Sequence, residues 1–190
     1  SDSERCGIAV IYQELALVRD MTVAENIFLG NEPRKGFLID WNRVYRETAL
    51  LLERYGIDLD PASRIDDLGI GQQQLVEIVK ALSKKSHILL LDEPTAALTE
   101  AEVDVLMGIM RDLRDQGITC VYISHKLDEV LAIADTITVL RDGEAVVTLP
   151  RSEATKAKLI KHMVGREISD LFPRVRGEHG DALLRVSGLS

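Results

Sequence analysis

Apolar positions follow two rhythms along this chain, short β-branched runs and stripes at helical spacing, and the two alternate. Gly7-Ile8-Ala9-Val10-Ile11-Tyr12 is an apolar run of the kind a buried strand carries. Asp40 can cap a helix reaching Tyr55, with Val44, Leu51, Leu52 and Tyr55 on one face and Gly56 as its stop. A second helix is predicted over Gln72 to Lys84, its inner stripe being Leu75, Ile78, Val79 and Leu82. Ile88 to Leu91 is uninterrupted and apolar, which predicts a strand buried on both faces. Thr99 then caps a helix from Glu100 to Gln116 with Val103, Leu106, Met110 and Leu113 turned inward, and Gly117 ends it. Ile118 to Ile123 reads as a strand and Lys126 to Ala134 as a short helix. Thr136 to Leu140 and Glu144 to Thr148 form a hairpin about Asp142-Gly143, and Ser152 caps a last helix that stops at Gly165. Strands alternating with helices predict an α/β domain with a mainly parallel sheet, closed by a C-terminal β-hairpin and helix.

Both ends read as interior to something larger. Ser1 to Arg5 lead straight into a strand with no element before it, which predicts a start inside a domain. A proline, two glycines and several charges over 173–181 predict a linker, after which Ala182-Leu183-Leu184-Arg185-Val186 opens another strand.

Composition narrows the function classes. With 190 residues, 46% of them hydrophobic, the chain can bury a core, and disorder is excluded as its main state. Its 23 Lys and Arg against 31 Asp and Glu give a net charge of -8, which argues against a general nucleic-acid binder but leaves room for a phosphorylated small molecule. Aromatic residues are only 4%, too few for stacking platforms or an aromatic sugar cradle. Cys6 and Cys120 belong to no CxxC spacing, as expected of two buried thiols in a reduced compartment. No stretch approaches the roughly 18 apolar residues of a membrane span, so membrane association would come through a partner.

Candidate chemistry gathers where the strand 88–91 ends. Asp92-Glu93 places two carboxylates at the carboxyl edge of a parallel sheet, the edge at which α/β folds bind ligands and the Walker B pattern of nucleotide hydrolases. Asp92 would hold Mg²⁺, mostly through water, and Glu93 would orient or deprotonate the attacking water. By itself such a pair is more often two solvated charges at a strand end. Upstream, Leu68-Gly69-Ile70-Gly71-Gln72 sets two glycines before a helix, leaving backbone N–H groups and a helix dipole free to face an anion; isolated, such a turn is more often a connector. His125 ends the next strand, within reach of a phosphate at Asp92-Glu93, and Gln13 follows the first strand, where it could ligate Mg²⁺ or the attacking water. Each of these alone has an ordinary structural reading.

In this order the motifs resemble the ATP-binding subunit of an ABC transporter over nearly the whole chain. Val10 to Glu14 is similar to the Q-loop, Leu68 to Gln72 to the signature, Ile88 to Pro94 to the Walker B strand, Thr95 to Thr99 to the D-loop, and His125 to the switch histidine. Met21 to Gly30, Gln72 to Ile78 and Ile123 to Leu127 resemble the importers of monosaccharides, and Asp67 to Gly71 the xylose-importing members. The resemblance implies a P-loop NTPase-like cassette over 1–172, truncated, with a helical subdomain over about 14–85, then the linker and, over 182–190, the first strand of a second cassette in the same chain. It implies ATP and Mg²⁺ as cofactors, with Glu93, His125 and Gln13 catalytic and Asp92 and Gln13 at the metal. Leu68, Gly69, Ile70, Gly71 and Gln72, with Ala97 and Leu98, would face the ATP of the opposite site. It further implies a transmembrane sugar permease as partner, an external sugar-binding protein acting indirectly, no nucleic acid, and a peripheral place on the cytoplasmic face of the membrane.

Two departures qualify this. Gly69 stands where the family signature carries a serine, which removes a hydroxyl donor to the γ-phosphate. Nowhere does the chain contain GxxxxGK[ST], the loop that cradles phosphates. The 190 residues alone are therefore expected neither to bind ATP tightly nor to hydrolyse it, and to self-associate through exposed sheet edges. A non-transport ABC ATPase shares the Asp92-Glu93 chemistry but fits the acidic balance and the importer-like segments less well. A noncatalytic interaction module is the other alternative for the isolated piece.

Overall fold

The computed structural model describes residues 6–12, 15–84, 86–165 and 187. Gln13, the linker expected over 173–181 and, Ser187 apart, the strand expected over 182–190 lie outside the described residues.

Three parallel strands, in the order β1 (Ile8–Ile11), β4 (Ile88–Asp92), β5 (Thr119–Ile123), form the central sheet. Val10 pairs with Leu90 and Leu90 with Val121, so side chains of matched parity line up across all three strands. Ala9, Ile11, Leu89 and Leu91 are buried on one face. The other face stays half open, with Ile88 37%, Val121 44% and Ile123 45% exposed. The strand expected to be buried on both sides is therefore buried on one, because nothing among the described residues covers the other.

Between β1 and β4 the chain builds a helical layer. Helix α1 (Val23–Phe28) starts on a reciprocal cap: the Thr22 hydroxyl accepts from Glu25 N–H and the Glu25 carboxylate accepts from Thr22 N–H. Asn26, fully buried, satisfies its amide on Val18 and on the Thr22 carbonyl, which ties the segment after β1 to this helix. A two-residue hairpin, β2 (Arg34–Lys35) and β3 (Leu38–Ile39), precedes α2 (Trp41–Arg54). Asp40 caps α2 as predicted, accepting from Arg43 N–H, and Gly56 with φ +65° turns the chain out of it. Helix α3 (Ile70–Leu82) packs against β1 and α1 and begins two residues earlier than the apolar stripe indicates.

Helix α4 (Glu100–Asp115) carries a second reciprocal cap, Thr99 with Glu102. Its buried face is Leu106, Met107, Ile109, Met110 and Leu113; the expected Val103 is only half-buried. The hairpin β6 (Thr136–Arg141) and β7 (Glu144–Pro150) turns on Asp142 and Gly143, both at positive φ as a type I′ turn requires. Ser152 is not the final cap: it lies in a 3-10 turn over Arg151–Glu153, and the Thr155 hydroxyl accepts from Lys158 N–H to start α6 (Lys156–Val164). Gly165 ends that helix at φ +79°. Neither cysteine is fully buried, since Cys6 precedes β1 in a turn and Cys120 sits on the outermost strand of the sheet.

Two apolar clusters result. The larger joins α1 to α4 with the closed face of the sheet; the smaller gathers Ile137, Val139, Leu149, Ala154 and Leu159 beneath the hairpin. Helix α5 (Leu127–Ile133) links them, with Ile133 on the first and Leu127, Val130 and Leu131 on the second.

Candidate functional site

β4 delivers Asp92 and Glu93 to the carboxyl edge of the sheet, and β5 delivers His125 beside them. Asp92 is the last strand residue, in register with Ile123. One residue on, Glu93 has φ +45°, the left-handed region that a non-glycine residue occupies at a cost of about 1 kcal/mol or more. Its N–H donates to the Ile123 carbonyl at 2.9 Å and its carbonyl accepts from Ala96 N–H at 3.2 Å. This kink turns the Glu93 side chain toward His125, whose Nδ1 lies 2.9 Å from Glu93 Oε1. Both remain open to solvent, the histidine more so at 67% exposure against 31%. The Asp92 side chain makes no hydrogen bond or ion pair with any described residue, which leaves a half-buried carboxylate open to a cation.

Behind this edge lies a second set of polar groups that the sequence reading passed over. Glu129, from the first turn of α5, accepts on Oε2 from the Tyr122 hydroxyl at 2.7 Å and from the Thr95 hydroxyl at 2.7 Å. Its Oε1 pairs with Lys126 Nζ at 3.2 Å, and the same ammonium donates to the Thr95 carbonyl at 3.0 Å. Burial raises the Glu129 pKa, but the hydrogen bonds from Tyr122, Thr95 and Lys126 outweigh it and the carboxyl ends below the usual carboxylate range. Burial, then the Glu129 carboxylate, pushes the Tyr122 phenol up. The available signal was local: Lys126 and Glu129 are spaced i to i+3 at a helix start, and Tyr122 is a polar-tipped residue on a core strand.

The glycine turn stands apart from this edge. No described hydrogen bond or ion pair joins Leu68 to Gln72 with Asp92, Glu93 or His125. Gly69 caps α3 with extended backbone, and its N–H donates to Gln72 Oε1 at 3.0 Å, so that donor is already used. The N–H groups of Ile70, Gly71 and Gln72, in the first turn, have no intrahelical acceptor. Gln73 steadies the approach, donating from Nε2 to the carbonyls of Ile65 and Leu68. A Cβ on Gly71 would collide with the Glu102 carboxylate from the α4 cap. Ala97 is exposed and Leu98 half-buried in the turn that leads to that cap.

Comparison with known proteins agrees with this architecture. A family model described as ABC transporter matches residues 1–96. The chain is 57% identical over 189 residues to the xylose import ATP-binding protein of Moorella thermoacetica, covering 100% of this chain and 38% of that protein. It is 51% identical to the protein of the same name from Geobacillus kaustophilus, again over 100% of this chain and 38% of the relative. The chain thus spans little more than a third of the length of the curated relatives it matches. Among solved structures, a dimeric ATP-binding cassette bound to ADP and Pi superposes with a TM-score of 0.67 at 24% identity, covering 80% of this chain and 68% of that one. An inward-facing metal-chelate type ABC transporter gives 0.69 at 22% identity, over 83% and 64% of the two chains. Both likenesses concern the fold alone. By fold and by the match over residues 1–96, the chain belongs to the ABC transporter family.

Proposed function

We propose that this chain is part of the ATP-hydrolysing subunit that energises import of a monosaccharide, D-xylose or a close relative. The observation that carries this reading is identity of 48 to 57% along the whole chain to xylose import ATP-binding proteins. In this reading residues 1–172 belong to a first cassette with a helical subdomain over about 14–85, followed by a linker over 173–181 and the opening strand of a second cassette over 182–190. The full-length protein sits on the cytoplasmic face of the membrane against a sugar permease, served indirectly by an external binding protein; no described helix is long and apolar enough to cross a membrane.

The edge geometry supports hydrolysis by positioning. Glu93 takes the proton of a water that attacks the γ-phosphorus, as the bond from that phosphorus to the β,γ-bridging oxygen breaks toward ADP. His125, held on Glu93 through Nδ1, fixes the carboxylate and keeps its other ring nitrogen for the phosphate side. Mg²⁺, when bound, supplies charge neutralisation across the phosphates. Asp92 fits as its protein anchor, being an unpaired carboxylate at the strand end, with Gln13 as a second contact. Leu68 to Gln72, Ala97 and Leu98 serve the opposite nucleotide, the glycine turn through the free N–H groups of Ile70, Gly71 and Gln72.

Glu93→Gln in the full-length protein tests this. It should retain ATP binding and lower turnover at this site by about a hundredfold or more, because the proton acceptor is lost while the shape is kept. Undiminished turnover with the second cassette's site disabled would remove Glu93 from its role. The 190-residue chain alone should show no micromolar affinity for Mg-ATP by calorimetry.

A further inference from the structure

We propose that Glu129 is a positioning residue for hydrolysis: one carboxylate that ties together the chain on both sides of Glu93 and His125 and thereby sets their separation. This deepens the reading above and rests on it.

The pair needs such a device. Glu93 occupies a left-handed backbone conformation, and residues in such wells stay there only when their surroundings hold them. Its partner His125 is 67% exposed and makes no described polar contact besides Glu93, so nothing on the ring itself locks it. What holds both lies one shell further back. Thr95, two residues after Glu93 and 2% exposed, gives its hydroxyl to Glu129 Oε2 at 2.7 Å. Tyr122, three residues before His125, gives its hydroxyl to the same oxygen at 2.7 Å. Lys126, directly after His125, pairs with Glu129 Oε1 at 3.2 Å and reaches across to the Thr95 carbonyl at 3.0 Å. Ser124, directly before His125, accepts the Lys126 N–H at 3.0 Å and so tightens the same loop.

Glu129 thus closes two loops, from β4 through Thr95 and from β5 through Tyr122 and Lys126, whose free ends carry Glu93 and His125. Its side chain is only 15% exposed, and ordinary hydrogen-bond lengths with charged character favour a stiff arrangement over a solvated one. The bonds of this network run among its own residues and none is made to Asp92, to the glycine turn or to the Glu93 and His125 side chains, so its loss should affect turnover and spare binding.

The test uses the full-length protein with the second cassette's site disabled, reading kcat, KM for Mg-ATP and the unfolding midpoint. Glu129→Ala should lower kcat about tenfold, since misplacement of a reacting group by a fraction of an ångström costs one to two orders of magnitude. KM should stay within about twofold. Tyr122→Phe, which removes one bond and preserves volume, should lower kcat about threefold and have no further effect in the Glu129→Ala background, because both act through the same oxygen. Unchanged kcat in Glu129→Ala, with wild type turning over, overturns the inference and leaves the ATPase reading intact. A parallel loss in kcat, binding and unfolding midpoint overturns it too, marking Glu129 as general scaffolding. A wild type that hydrolyses no ATP overturns the ATPase reading and the inference with it.

Discussion

The Asp92 to His125 edge and the Leu68 to Gln72 turn are the two regions proposed to serve nucleotide phosphates, and they are built in opposite ways. The edge uses side chains. Each must be carried to its place and held there, and this takes a buried strand, a strained φ at Glu93 and the Glu129 hub behind. The turn uses backbone. Its donors are the N–H groups of a helix start, and what it needs is room, which Gly71 supplies by carrying no Cβ. A site made of side chains fails when a support is taken away; a site made of backbone fails when something is added. Substitutions at the two regions should therefore behave differently.

The largest effect should come from beneath the edge. Leu91 is fully buried and immediately precedes Asp92, so Leu91→Ala should cost about 3 kcal/mol of stability, measured by urea unfolding. Leu90, next to it and facing the open side of the sheet, is only half-buried, and Leu90→Ala should cost about 1 kcal/mol. Equal losses would mean that the two faces are equally covered and that the edge does not lean on the closed one.

Much of this was legible in the residues, for identifiable reasons. Apolar runs placed β1, β4 and β5, and caps at Asp40 and Thr99 fixed two helix starts, because those signals are local. The place of the Asp92-Glu93 pair was legible because an apolar strand that ends in two carboxylates puts them at the sheet's edge. What the residues could not tell was which face of β4 is covered, since an unbroken run such as Ile88 to Leu91 looks the same whether one side or both are packed. Ser152 and Thr155 are equally good caps on paper; the 3-10 turn that follows Pro150 decides between them. The Glu129 hub was hidden because its partners are 34 and 7 residues away, and only the pairing of β4 with β5 brings Thr95 and Tyr122 to one carboxylate.

That hub gives the next effect in size. Tyr122→Phe removes a hydrogen bond to an ionised carboxylate and should cost about 1.5 kcal/mol at neutral pH. The sign with pH follows from Glu129, whose folded-state pKa lies below the ordinary value of 4.5. Its stabilisation is complete above the unfolded value and is lost as pH falls through the folded one. The gap between wild type and Tyr122→Phe should hold from pH 7 to about 5 and narrow below the model-peptide range, read by urea unfolding at each pH. A gap that widened on acidification would mean that Glu129 is not the ionised acceptor.

At the turn, adding a methyl group tests room instead of support. Glu102 fills the space over Gly71 while its Oε2 accepts from the Thr99 N–H and hydroxyl. In Gly71→Ala the flexible end of Glu102 must give way, losing a cap interaction of about 1 kcal/mol, while alanine gains up to about 1 kcal/mol of helix propensity over glycine. The single variant should thus be near neutral. Glu102→Ala alone should cost about 1 kcal/mol, and in that background Gly71→Ala should become stabilising, because no carboxylate is left to displace. Additive effects in this cycle would show that Gly71 and Glu102 do not share the space.

The smallest effect concerns the residue that departs from the family signature, and it tests the same rule from the other side. Gly69 has φ -62° and ψ 156°, a conformation open to any residue, and a Cβ there would meet only Gln72 Oε1 at 3.8 Å, an ordinary contact. Here, unlike at Gly71, room is not the reason for glycine. A serine would bring a hydroxyl able to accept from the Gln72 N–H, completing the reciprocal cap that Gln72 already half makes through the Gly69 N–H. Gly69→Ser should therefore raise stability by a few tenths of a kcal/mol, the usual margin of serine over glycine at this position. It should also withdraw one of the three free N–H groups of the turn from any bound anion and offer a hydroxyl in exchange. A loss of stability in Gly69→Ser would show that the turn needs room at both glycines, and the division between a region held by supports and a region kept by emptiness would then run two residues earlier than Gly71, at Gly69.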